Sequence, residues 1–161
     1  TEDYKSFMEH AFTAVYEAPE TDPIEMLEQS IERMRVHWKA SEQMPFHGNW
    51  FHGMVPAIIL KSLQNNGHQI EGWQIHEAFQ RGLMIPAGGC GFCGVCGAGS
   101  GLGIAISLLQ KSNPFFDKER SISMQMSAKA IDKIGKFGGI RCCRLSSYTA
   151  LGTAEIGRAH V

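Results

Sequence analysis

Apolar residues recur along this chain at intervals of three and four, the signature of helices that each bury one face. Phe7, Ala11, Val15 and Ala18 share one such stripe, which Pro19 closes. The stretch DPIE, Asp22 to Glu25, has the grammar of a helix start: an Asp N-cap, Pro at the first helical position and Glu as capping-box partner. Ile24, Leu27, Ile31, Met34 and Trp38 carry that second helix onward. A third helix is predicted from about Pro56 to Asn66, with Gly67 as its stop, and a fourth from about Glu71 to Met84, ending before Pro86. A fifth begins near Cys96 and ends by Asn113–Pro114. Ile122, Met126, Ala130, Ile134 and Phe137 mark a sixth, closed by Gly138 and Gly139, and a seventh follows from about Cys142.

No stretch alternates with the period of two that a half-buried strand requires. No repeat or low-complexity linker divides the chain. The expected fold class is therefore all-α: a compact single-domain bundle of about six to seven helices with glycine-rich cysteine loops, over residues 1–154. The last seven residues, EIGRAHV, match the in-frame translation of a common short-read sequencing adapter. Residues 155–161 are accordingly expected to be an assembly artefact and His160 to have no function. The natural termini are left open, since the chain begins at Thr1.

Composition narrows the class. A chain of 161 residues, 43% hydrophobic and 19% charged, has the make-up of one folded, water-soluble domain with a real core. The net charge of −1 gives no nucleic-acid footprint and no polybasic membrane patch. The longest apolar run, GLGIAISLL, is far short of a membrane span, and no secretory signal peptide is visible. Five cysteines, an odd number crowded into two motifs, do not resemble a secreted disulfide framework. A reducing cytoplasm is the expected setting.

Chemistry concentrates in GGCGFCGVCGAGSGLG, residues 88–103. Gly97, Gly99, Gly101 and Gly103 do not make a dinucleotide loop: G-x-G-x-x-G would need glycine at Leu102 or Ile104, and no strand precedes. Gly97, Gly101 and Ala105 instead share one helical face and predict close approach of a neighbouring helix. Cys90, Cys93 and Cys96 form C-x2-C-x2-C, the opening of a bacterial ferredoxin run, but Ser100 stands where the fourth cysteine would be. A fourth ligand would have to come from Cys142 or Cys143 in GGIRCCR. At adjacent helical positions these two point about 100° apart, so one of them is expected to face a given ion. Cys96 and Cys142 each open a helix, where the positive end of the helix dipole favours a thiolate.

His47 and His52 in HGNWFHG, expected to lie in an irregular segment ahead of the third helix, are further ligand candidates, neutral imidazole being a common zinc and iron ligand. Arg141 and Arg144 flank the paired cysteines and are candidates to neutralise a thiolate cluster or to hold an anionic cofactor or substrate.

Three blocks together, HGNWFHG with VPAIIL behind it, GGCGFCGVCGAGSGLGI, and GGIRCCRLSSYTAL, resemble an uncharacterised domain-of-unknown-function family of cysteine-containing helical domains. Its blocks read approximately HG-x3-H, GG-x-CGF-x-G-x-CGA and GG-x-RCC-x-R/L-x-S. The resemblance covers about residues 22–154 and implies His47, His52, Cys90, Cys96, Cys142 and Cys143 as its shared positions. Cys93 departs from the pattern, an aromatic or other residue often standing there. Members occur alone or joined to class I S-adenosylmethionine-dependent methyltransferase domains, which implies a methyltransferase as one candidate partner; a redox partner is the candidate that the cysteine chemistry itself suggests.

The leading expectation is a metal- or iron–sulfur-binding helical domain with a redox or accessory role. An iron–sulfur cluster or zinc would be held by Cys90, Cys96 and Cys142 or Cys143, with Cys93, His47 and His52 as additions. The alternatives are a metal-free thiol-redox protein, with Cys93 and Cys96 as a C-x-x-C pair and Cys142 or Cys143 as resolving thiol, and a non-catalytic module serving a methyltransferase.

Overall fold

A computed structural model of the chain describes residues 2–38 and 43–158; residues 159–161 at the end of the adapter-like tail, His160 among them, lie outside the described residues. The chain folds as helices throughout, with no strand among the described residues. In order they are α1 (Glu2–Tyr16), α2 (Pro23–Arg35), α3 (Asn49–Asn65), α4 (Gly72–Leu83), α5 (Gly89–Phe92), α6 (Gly97–Leu109), α7 (Asp117–Phe137) and α8 (Cys143–Arg158). The all-α expectation holds. The number is eight among the described residues rather than six or seven, because part of the first cysteine motif winds into the single turn α5, entered through Gly88 at φ 85°.

Local signals set most boundaries. Asp22 caps α2, its Oδ2 accepting the Glu25 N–H at 2.8 Å with Pro23 at the first turn. Such a cap contributes about 1 kcal/mol relative to alanine. Glu71 and Gln74 close a reciprocal capping box at the start of α4. Gly138 and Gly139, both at positive φ, turn the chain from α7 towards α8.

α3 is the axis of the bundle. Trp50, Phe51, Met54, Val55, Ile58 and Leu60 are all buried, so its apolar character runs round the helix rather than along one stripe. α1, α2, α4, α6 and α8 pack around it, and α7 covers the far side of α6.

The third helix starts at Asn49, well before the expected Pro56, and Pro56 lies inside it. Proline has no N–H to donate, so the His52 carbonyl four residues earlier loses its ladder partner. α4 closes over that spot: Gly82 lies so near the His52 carbonyl that a β-carbon there would overlap it. Tertiary packing thus carries the helix through proline, and His52 sits on a rigid, buried helix rather than in the irregular segment expected for it.

α6 has small residues on two sides. Gly97 lies against His52 and Gly101 against Val55 and Pro56 of α3, while Gly99 faces Ile131 of α7 and Gly103 faces Ser127. The glycine run is architecture that brings α6 close to both neighbours. No described helix is long and apolar enough to cross a membrane.

Candidate functional site

The starts of α6 and α8 open onto one cavity of about 410 Å³. Its wall includes Cys90 from α5, Cys96 at the start of α6, Cys142 and Cys143 at the start of α8, His52 from α3, and Arg141 from the turn before α8. The two cysteine motifs, far apart in sequence, therefore share one space with the second histidine of HGNWFHG. All five cysteines of the chain are free thiols: Cys96 and Cys143 are buried, Cys142 is half-buried, and Cys90 and Cys93 are exposed.

Each group is held for a local reason. Cys96 is the N-cap of α6 in an extended conformation, and no side chain caps the helix there. The N–H groups of Gly97, Ala98 and Gly99 consequently have no acceptor among the described residues, and Gly97 and Ala98 belong to the cavity wall. Those free donors and the helix dipole give the cavity a positive bias.

Cys142 caps α8 with its sulfur, Sγ accepting the Leu145 N–H at 3.5 Å, while the Arg144 N–H donates to the Phe46 carbonyl at 2.9 Å. Because Cys142 stands at the cap, ahead of the first helical residue, the 100° rule for adjacent helical positions does not govern the pair. Both Cys142 and Cys143 line the cavity.

His52 is 4% exposed, and its Nδ1 lies 2.9 Å from the Ile85 carbonyl oxygen. A carbonyl can only accept, so Nδ1 carries the proton, and neutral His52 keeps its lone pair on Nε2. Nε2 makes no hydrogen bond with any described residue. Burial pushes the imidazole below the ordinary histidine pKa of 6.5; the Ile85 carbonyl opposes this, and the nearby Arg141 charge adds to the depression. A neutral imidazole pinned through Nδ1 to a backbone carbonyl is the arrangement in which histidine serves as a metal ligand or base.

Three candidate residues stand apart. Cys93 is exposed, outside the cavity wall, with Sγ 3.3 Å from the Gly89 carbonyl. His47 is exposed in the segment before α3 and does not line the cavity. Arg144 lies instead beside Tyr148, whose hydroxyl donates to Glu28 at 3.3 Å. Among the described residues no three of His, Cys, Asp and Glu are grouped closely enough to hold a metal ion as they stand.

Sequence reasoning misses the apolar part of the wall. Ile131, Ile134 and Phe137, from the last turns of α7, line the cavity with Ile140 and Leu145. Their periodicity marks a helix but not what it faces. The only hint is FGGI, Phe137 to Ile140, where a glycine pair leaves large apolar residues exposed beside RCC.

Residues 12–157 match a protein family described as "Family of unknown function (DUF5714)". The chain belongs to this family. The DUF5714 match takes in every residue of the cavity wall, so the site lies inside the family's domain. No curated protein and no solved structure matches the chain.

Proposed function

We propose that this cavity is the seat of a thiolate-held metal centre, and that the domain has a redox or accessory role through it. The ligands would come from Cys90, Cys96, Cys142 and Cys143, with the Nε2 lone pair of His52 as complement. The observation that carries the reading is the convergence of both cysteine motifs and a tautomer-locked histidine on one positively biased cavity. Thiolates and a soft or borderline metal suit each other.

Of an iron–sulfur cluster and zinc, we favour the cluster on the size of the cavity. Zinc draws its sulfurs to about 2.3 Å, so they stand roughly 4 Å from each other. No three donors among the described residues are so grouped, and the cavity exceeds the needs of one ion. A cluster presents several metal atoms and spreads its ligands further. When bound it would supply electron transfer; the protein would hold the thiolates, neutralise charge with Arg141 and shield the buried side with α3 and α6.

Anaerobic purification, followed by metal and acid-labile sulfide analysis and an absorption spectrum, tests this. Iron with sulfide and a brown chromophore, lost together in Cys96→Ser and Cys142→Ser, is the expected result. Zinc without sulfide would move the reading to a structural or hydrolytic site. Folded protein with no metal at all would overturn it.

That last outcome would favour a metal-free thiol protein. The observation on its side is the Leu145 N–H donating to Cys142 Sγ within a cavity that the exposed Cys90 also lines. Thiol exchange or disulfide formation in that cavity needs an external disulfide or other thiol oxidant as co-reactant. For either chemistry, a redox protein or a methyltransferase is the partner we propose, the latter on the resemblance alone.

A further inference from the structure

We propose that the same cavity also seats a small organic carboxylate, its head at Arg141 and its apolar body against the end of α7. The proposal rests on the reading of this cavity as a metal centre only for the reactivity such a ligand would meet there; its recognition stands on Arg141, which that reading shares, and on the apolar end of α7.

Charge comes first. Arg141 is the one side chain in the wall that is ionised regardless of pH, and no Asp or Glu joins it there. It makes no hydrogen bond or ion pair with any described residue. A guanidinium presents a planar fork of donors suited to a carboxylate. Behind it, the uncapped N–H groups of Gly97 and Ala98 point the same positive bias into the cavity. His52, nine-tenths buried or more, adds an unpartnered Nε2 to the same wall, so the floor is polar and unsatisfied by the protein itself.

Size and shape come next. A cavity of about 410 Å³ falls in the range of organic-ligand sites, whereas one water or ion needs only about 30 Å³. Ile134 and Phe137 of α7, with Leu145 of α8, give it an apolar stretch of lining. Phe137 lines the cavity while 65% exposed, so an occupant would cover ring area now open to water. The positive head group of Arg141, the apolar residues of α7 and the absence of Asp and Glu from the wall together point to a monocarboxylate with an aliphatic or aromatic body.

The probe pair is 3-phenylpropionate and its neutral isostere 3-phenylpropanamide, titrated by ligand-observed NMR against the full chain purified anaerobically. The acid is expected to bind at least tenfold more tightly than the amide. Arg141→Gln should abolish that preference, while Arg144→Gln, outside the cavity, should keep it. Phe137→Ala, on the surface, should weaken acid and amide alike. Equal affinity for acid and amide, or the same behaviour of the Arg141 and Arg144 variants, would overturn the proposal. Metal analysis of the same preparation keeps the two readings apart. Metal-free protein with an Arg141-dependent preference sinks the metal centre and leaves the carboxylate site standing; metal-loaded protein without the preference does the reverse.

Discussion

Gly97 stands against the imidazole of His52, with no room for a methyl group between them: a β-carbon there would overlap the ring. The absent side chain lets the start of α6 approach α3, so that Cys96 and the uncapped N–H groups share one cavity with His52. Gly97→Ala is therefore expected to destabilise the fold by about 1–3 kcal/mol through overpacking, despite the better helix propensity of alanine. It should also lower metal loading by displacing His52. Gly152→Ala is the control. That glycine lies inside α8 with nothing within 4 Å of the place a methyl group would take, so alanine should stabilise by about 0.4–1 kcal/mol. Urea melts of both variants, with metal content measured alongside, check the pair; a neutral Gly97→Ala would mean that α6 can shift at no cost.

The helices are legible in the sequence because stripes, caps and breakers act locally. Asp22–Pro23 and Gly138–Gly139 do in the structure what their chemistry predicts. The start of α3 is not legible, because proline is a local break signal, whereas α3 runs through Pro56 with Gly82 of another helix packed close to the His52 carbonyl, a contact that no window around Pro56 contains. The same holds for the site. Spacing and residue type single out all five cysteines with His47 and His52, and the fold gathers five of these seven, Cys90, Cys96, Cys142, Cys143 and His52, on one cavity. Spacing does not show that Cys93 and His47 turn away, nor that Ile134 and Phe137 line the same cavity as the thiols, since those are properties of how α5, α7 and α8 meet.

Acid should weaken the fold in a window that His52 defines. Its folded-state pKa lies below the ordinary 6.5, so between the two values the unfolded chain binds a proton that the folded protein does not. Stability then rises with pH through that window: the contribution is complete above pH 6.5 and is lost as pH falls below it. His52→Asn can keep a donor towards the Ile85 carbonyl while removing the titration. Denaturation midpoints at stepped pH, from about 7.5 down to about 5, should fall more steeply for the wild-type protein than for the variant. The other histidines contribute to both proteins and cancel in the difference. Parallel curves would mean that His52 is protonated as readily in the folded state as in the unfolded chain.

A second acid effect lies on the other side of the bundle. Arg33 grips both oxygens of Glu20, at 2.7 and 3.1 Å, and its Nε donates to the Ala14 carbonyl at 3.2 Å, tying α2 to the end of α1. Burial raises the Glu20 pKa, but the Arg33 hydrogen bonds and charge outweigh it, and the carboxyl sits below its ordinary 4.5. This contribution is present above pH 4.5 and lost as pH falls through the lowered value. Because Arg33 is about a third exposed, solvent screening limits its size, and Glu20→Gln should cost about 1 kcal/mol at neutral pH. The variant should also melt with a flatter pH dependence below 4.5; an unchanged acid limb would assign that limb to other carboxylates.

Cys142 separates structure from ligand chemistry, because its sulfur has two duties in one place. It caps α8 through the Leu145 N–H, and it faces the cavity that Cys90, Cys96 and Cys143 share. Serine is a stronger N-cap than a thiol and a poor ligand for a soft metal; alanine is neither cap nor ligand. In metal-free protein, Cys142→Ser should therefore be at least as stable as wild type, and Cys142→Ala less stable than Cys142→Ser by about 1 kcal/mol. Under metal-loading conditions both variants should lose the same bound metal and the same stabilisation that loading gives the wild type. Thermal melts of the three proteins, with and without reconstitution by iron and sulfide, distinguish the duties. A serine variant that loads fully would remove Cys142 from the ligand set and leave Cys143 as the contribution of the RCC motif.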